Sequence, residues 1–112
     1  MDANQRTGGA MGSFSKQTPL DYETIAASQT DQLLGTKGGI GDILGTLICV
    51  VATAATSTVS IKDGTTSISI LPAAVGGGVG TYPIPMWIAS ATGAWSVTTG
   101  AGVSVIATGL FT

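Results

Sequence analysis

Apolar and polar residues alternate with a period of two along much of the chain after residue 29. Residues 58–62 and 66–70 alternate strictly on either side of Asp63-Gly64. Successive side chains of a strand point to opposite faces, so each segment predicts a strand, and Asp-Gly between them predicts a tight hairpin. The predicted inward side chains are Val59, Ile61, Ile68 and Ile70, and the predicted outward ones are Ser60, Lys62, Ser67 and Ser69.

Three further segments read as strands. Residues 44–53 form a nearly continuous apolar run, which predicts a central strand buried on both faces. Residues 32–34 predict a short first strand. Residues 82–88 contain Pro83 and Pro85, which lack an N–H on the same side, so this strand is expected at a sheet edge.

The last strands and the first residues complete the expected organisation. Residues 95–98 and 103–108 flank a glycine-rich turn and predict a second hairpin. Residues 1–28 follow neither a helical nor a strand period, which predicts an extended arm with a helical turn near residues 21–27.

These elements predict an all-β chain. A length of 112 residues suits one domain, and short strands with glycine-rich turns favour a single small antiparallel β-sandwich. The sandwich is expected to be Ig-like or jelly-roll-like and to be preceded by the extended N-terminal arm. The predicted division is an arm at 1–28 and a sandwich domain at 29–112.

Charge is scarce, and this narrows the range of partners. Residues 64–112 contain no Asp, Glu, Lys or Arg, and the net charge of −2 arises from six acidic and four basic residues. Such a chain has no basic surface for a phosphate backbone, so direct nucleic-acid binding is not expected. Weak charge repulsion also favours association with other protein surfaces.

The sequence also argues against a membrane or exported protein. The apolar stretch at residues 40–55 includes Asp42 and is shorter than the ~18 uninterrupted apolar residues of a spanning helix. The first residues resemble no secretory signal, so synthesis in the cytoplasm is expected.

The chain lacks most of the residues on which catalytic sites usually depend. The chain has no histidine, which removes Ser-His-Asp and Cys-His arrangements, and it has too few nitrogen and sulfur ligands for zinc. Cys49 is the only cysteine, and its apolar neighbours predict a buried, inert thiol. Calcium has only weak candidates in Asp31, Asp42 and Asp63. We therefore expect neither an enzyme nor a cofactor, and the glycines at 76–78 predict a loop rather than a phosphate cradle.

Large apolar side chains are the remaining candidates for a functional surface. Trp95 begins an alternating strand and is expected in the core. Trp87 is opposite in phase to its apolar neighbours, so the pattern leaves core and interface both open. The residues predicted at a partner interface are Met11, Phe14, Leu20, Tyr22, Trp87 and Phe111.

Residues 59–64 and 93–101, and more broadly residues 41–112, resemble small structural proteins of tailed-phage head gene clusters. The resemblance implies a capsid decoration, or cement, protein on the exterior of the virion. Its partners would be the major capsid protein and copies of itself, with a trimer favoured over a dimer. The N-terminal arm would share in these contacts.

Two other functions remain open at this point. A tail, fibre or neck module would be built in the same way but occur in fewer copies per particle. A carbohydrate-binding module would use Trp87 or Tyr82 as a stacking platform for a sugar ring.

Overall fold

The computed structural model describes residues 20–72 and 78–112, and these residues form an all-β sandwich, as predicted. Two of the predicted interface residues, Met11 and Phe14, and most of the 76–78 loop lie outside the described residues. The eight strands are β1 (Asp21–Ile25), β2 (Gln32–Leu33), β3 (Ile43–Val51), β4 (Val59–Asp63), β5 (Thr66–Leu71), β6 (Gly80–Ala89), β7 (Trp95–Thr99) and β8 (Val103–Leu110). A short 3-10 turn, Ala54–Thr56, connects β3 to β4. No helix in the described ranges is long and apolar enough to cross a membrane.

The strand order is that of a jelly roll. The first sheet has the order β1-β8-β3-β6 and the second has the order β2-β7-β4-β5. Four antiparallel pairs, β1 with β8, β2 with β7, β3 with β6 and β4 with β5, make the chain a long ribbon folded at the β4–β5 hairpin. Wrapping of this ribbon adds the β3–β8 and β4–β7 pairs, which decides between the two predicted sandwich types in favour of the jelly roll.

The core lies between the two sheets. Strand β3 is central in the first sheet, as predicted, and it directs Leu44, Leu47 and Cys49 inward. Trp95 from β7 is 1% exposed, which confirms its predicted place in the core, and its indole Nε1 donates to the main-chain oxygen of Asp42 at 2.9 Å. The largest buried side chain therefore also has a satisfied polar group.

The β4–β5 hairpin forms as the alternation predicts. Asp63 pairs with Thr66, so Gly64 and Thr65 make a two-residue loop, and Gly64 has a φ of 61°. A positive φ at this position suits glycine and matches the twist of the two strands. Val59 and Ile61 are buried, while Ile68 and Ile70 pack against the core from the edge strand.

The predicted second hairpin is wrong. Strands β7 and β8 follow each other in the chain but belong to different sheets. The corner between them packs against the β3–β4 connection: Gly100 N donates to Thr58 O at 2.7 Å and Gly102 N donates to Thr56 O at 2.9 Å. A Cβ atom at Gly102 would lie 2.2 Å from Thr53 O, so the glycines allow a close crossing between sheets rather than a hairpin turn.

The predicted helical turn near residues 21–27 is also wrong. Residues 21–25 form β1, which pairs along its whole length with β8 and buries Ile25 completely. Pairing with a distant strand and burial of one apolar side chain outweigh the weak local pattern. The sandwich thus includes residues that the sequence assigned to the arm.

Asp42 joins several distant segments. Its buried carboxylate accepts hydrogen bonds from Gly39 N at 3.1 Å, Thr112 N at 3.1 Å and the Thr112 hydroxyl at 3.0 Å. Its main-chain oxygen accepts from Ser90 N as well as from Trp95. One side chain therefore holds the last residue of the chain against the loop before β3.

Asp63 holds the connection between β6 and β7. Its carboxylate accepts from the main-chain N–H groups of Ala91 at 2.9 Å, Thr92 at 3.0 Å and Gly93 at 3.3 Å. The hydroxyl of Thr92 also donates to the main-chain oxygen of Asp63. Hydrogen bonds from Thr92 and then Ala91 lower the pKa of the Asp63 carboxyl below its ordinary value of 3.8.

We predict that the two faces of β3 differ in their contribution to stability. Leu47→Ala should lower the free energy of unfolding by about 2–5 kcal/mol, because it leaves a cavity in the core. Val50→Ala, on the same strand but 39% exposed on the outer face, should lower it by less than about 1 kcal/mol. Urea unfolding of both variants checks this, and equal losses would contradict the assigned register.

We also predict an acid-sensitive contribution from Asp63. Because its pKa is lowered in the folded state, its stabilising effect is complete above the ordinary value of 3.8 and is lost as the pH falls through the lower folded value. Asp63→Asn should therefore be less stable than the parent protein at neutral pH, and the difference should shrink in acid. Urea unfolding across this pH range measures it, and a difference that does not vary with pH would contradict the hydrogen-bond assignment.

Candidate interaction surface

The outer face of the first sheet carries no charged side chain. We name it the uncharged face. Its residues alternate with buried ones along β3 and β8, and the strand register places residues of β1 and β6 on the same side. It consists of Tyr22 and Thr24 from β1, Ser104, Ile106, Thr108 and Leu110 from β8, Ile43, Thr46, Ile48 and Val50 from β3, and Thr81, Pro83, Pro85 and Ala89 from β6.

An apolar row crosses the middle of the uncharged face. Ile48 of β3 lies between Ile106 of β8 and Pro83 of β6 in the strand register. Val50 is the next outward residue of β3 and is 39% exposed. The sequence predicted burial of β3 on both faces, whereas the sandwich covers only its inner face. The uncharged face therefore carries an apolar row that lies outside the core between the sheets.

The outer face of the second sheet is different. It carries the hydroxyls of Ser60, Ser67, Ser69, Ser96 and Thr98, together with Lys62 and Leu33. Lys62 Nζ lies 3.1 Å from Asp31 Oδ2 in a solvent-exposed ion pair. Hydroxyls and charges are well hydrated, so this face suits contact with water. The two outer faces thus differ in charge.

Trp87 lies at a β-bulge on the edge of the uncharged face. Leu44 pairs with Ile88 and Thr46 pairs with Pro85, so two residues of β6, Met86 and Trp87, lie opposite one residue of β3. Trp87 has a φ of 52° and is 60% exposed. A bulky residue in the left-handed region carries strain of about 1–3 kcal/mol, and such strain is concentrated at functional positions. β6 is one of the two outer strands of its sheet, as its prolines predicted.

A groove of about 470 Å³ lies at the opposite edge, beside β1. Leu20, Tyr22 and Phe111 line it together with residues of the loop after β2. Tyr22 is 70% exposed, whereas Phe111 packs against the core. Glu23 Oε2 accepts a hydrogen bond from Gly35 N at 2.6 Å, which fixes the wall of the groove. Three of the predicted interface residues thus meet here, while Trp87 lies across the sheet from them.

Sequence reasoning missed the aliphatic part of this surface. It selected aromatic side chains and did not single out Ile48, Val50 or Ile106. The signal that pointed to them was the apolar run at residues 44–53, which exceeds what one buried face of a strand requires.

Carboxylate, thiol and phenol side chains, which bind metals or act in catalysis in other proteins, make structural contacts in this one. Asp31, Asp42 and Asp63 take part in three separate sets of contacts, and no cluster of potential metal ligands occurs in the described part of the chain. Cys49 is buried, as predicted, and desolvation raises the pKa of its thiol to about 11. A thiol that stays protonated at neutral pH is a poor nucleophile. Tyr82 packs against the core, and its hydroxyl donates to Gly78 O at 2.6 Å.

Comparison with known proteins gives no match to a family model, to a curated protein or to a solved structure.

We predict that Trp87 contributes little to folding. Trp87→Asn should leave the free energy of unfolding within about 1 kcal/mol of the parent value or raise it, because asparagine tolerates a positive φ and the indole is mostly exposed. Trp95→Asn, the buried control, should lower it by more than about 3 kcal/mol. Urea unfolding tests both, and a large loss for Trp87→Asn would show that the indole serves packing.

Proposed function

We propose that the protein is a non-enzymatic structural protein of a virion, a capsid decoration or cement protein that binds the head lattice and stabilises adjacent capsomers. The observation that carries this proposal is the uncharged face: a continuous sheet surface with an apolar centre that lies outside the core of its own domain. The resemblance to phage head proteins and the jelly-roll topology, which recurs in viral capsid domains, add to it.

Burial of the uncharged face gives a physical reason for binding. Each Å² of apolar surface removed from water contributes roughly 25 cal/mol, and the row of Ile106, Ile48 and Pro83 presents such surface without a charge to desolvate. Threonine and serine hydroxyls around the row can hydrogen-bond to a partner. This combination of an apolar centre and a polar rim is typical of protein interfaces.

The contrast between the two outer faces gives an orientation. The uncharged face would contact the major capsid protein, and the face with the Asp31–Lys62 ion pair would point away from the particle. A protein that binds the assembled lattice and not its free subunits stabilises the assembly by mass action. Many repeated attachments then act together on one shell.

The proposed partners also include copies of the protein itself. A trimer is favoured over a dimer, because three-fold positions are abundant on icosahedral lattices. The N-terminal arm would join the contacts through Met11 and Phe14, and the groove at Leu20 and Tyr22 lies where that arm enters β1. The protein would be made in the host cytoplasm and would reside on the capsid exterior.

The proposal predicts high copy number that depends on the uncharged face. In purified particles of the phage that encodes this chain, quantitative mass spectrometry should find on the order of hundreds of copies, in proportion to the major capsid protein. Ile48→Lys should reduce this occupancy at least about tenfold, because a charge would be buried in the apolar row.

The matched control is Ser60→Lys, which adds the same charge to the outer face of the second sheet. It should bind as the parent protein does, and thermal unfolding should show that both variants fold. Equal occupancy for Ile48→Lys would contradict the proposed face.

A dozen copies or fewer per particle would favour a tail, fibre or neck module. Absence from particles would favour the carbohydrate-binding alternative, for which the exposed Trp87 remains the candidate platform whereas Tyr82 is engaged in packing.

A further inference from the structure

The four outer strands of the two sheets differ in how they could pair with another chain. In the first sheet, β6 carries Pro83, Pro85 and the bulge at Trp87, and β1 carries Asp21 and Glu23. In the second sheet, β2 has only two residues. Prolines, bulges, charges and short length are the features by which native edge strands avoid pairing. Three of the four edges are therefore protected.

Strand β5 is the exception. Its six residues, Thr66–Leu71, include neither a proline nor a charged residue, and within the described residues it pairs only with β4. Its one irregularity is a bulge between Ser69 and Leu71, at the end of the strand. The regular part, residues 66–69, presents an edge open to pairing.

The register shows which main-chain groups face that edge. Asp63 and Thr66 flank a two-residue loop, so they form a hydrogen-bonded pair, and the next pair of this kind is Ile61 with Ile68. Gly64 N donates to Ala94 O at 2.9 Å, on the β7 side, which agrees with this alternation along β4. The N–H and C=O groups of Ser67 and Ser69 therefore point away from β4, toward the open edge.

The main-chain groups of this edge are complementary to those of a second copy of β5. An antiparallel two-fold pairing centred on Ile68 places Ser67 of one copy opposite Ser69 of the other, and it does so twice. Each of these pairs exchanges two main-chain hydrogen bonds, and Ile68 meets its symmetry mate on the side that packs against the core. In this pairing no charged residue lies opposite the same residue of the second copy. The same pairing of β1 would bring Asp21 and Glu23 close to their counterparts in the second copy.

We propose that two copies of the protein associate through antiparallel pairing of β5, so that their second sheets join into one continuous sheet. This contact is separate from the uncharged face and does not depend on the proposed function.

Charge substitution at the open edge tests the pairing. Ser67→Lys combined with Ser69→Lys puts like charges opposite each other twice in the paired state, and it should weaken association roughly tenfold or more. Ser67→Lys combined with Ser69→Glu puts opposite charges in the same places and should associate at least as tightly as the parent protein. Both double variants alter the same exposed positions and put a lysine opposite Lys62 of β4, so thermal unfolding must show that each of them folds.

Sedimentation velocity over a concentration series measures association, and amide hydrogen exchange locates it. In the associated parent protein, the amides of Ser67 and Ser69 should become protected as concentration rises, whereas the Ile68 amide should be protected throughout by its bond to Ile61. Three results would overturn the proposal: a monomer at all concentrations, equal association of the two double variants, or an oligomer in which the Ser67 and Ser69 amides stay unprotected.

Discussion

A two-layer sandwich covers only one face of each sheet, and this constraint governs the rest of the structure. Strand β3 is apolar on both faces, yet the second sheet can bury only Leu44, Leu47, Cys49 and their inward neighbours. The outward residues Ile48 and Val50 stay at the surface. Within residues 20–72 and 78–112 no second layer covers these outward side chains, and an exposed apolar strand of this kind is the physical basis of the proposed contact.

Local patterns predicted the parts of the fold in which neighbours along the chain are also neighbours in space. The β4–β5 hairpin is determined by strict alternation around Asp63-Gly64, and the position of β6 at an edge is determined by Pro83 and Pro85. The β7–β8 connection and β1 depend on partners far away in sequence. Asp21 pairs with Gly109, and no pattern within residues 21–25 could have indicated it.

The candidate surface, like the fold, could be predicted from the sequence only in part. An apolar run signals an excess of apolar side chains, but it does not say which of them point outward, because that depends on which strands lie beside and below them. The position of Trp87 in the alternation of residues 82–88 neither assigned it to the core nor excluded it from the core. Its exposure follows from a bulge opposite Gly45, and its positive φ is a property of the folded backbone that the sequence does not display.

The two proposed surfaces are related by geometry. Antiparallel pairing of identical strands requires a two-fold axis perpendicular to the joined sheet, so both second sheets keep the same face toward the same side. Both first sheets then lie together on the other side, and the two uncharged faces point in one direction. A dimer formed through β5 would therefore present two binding faces to a single surface. The second attachment becomes intramolecular once the first has formed, so a weak contact at Ile48 and Ile106 could hold the pair firmly on a repeating lattice.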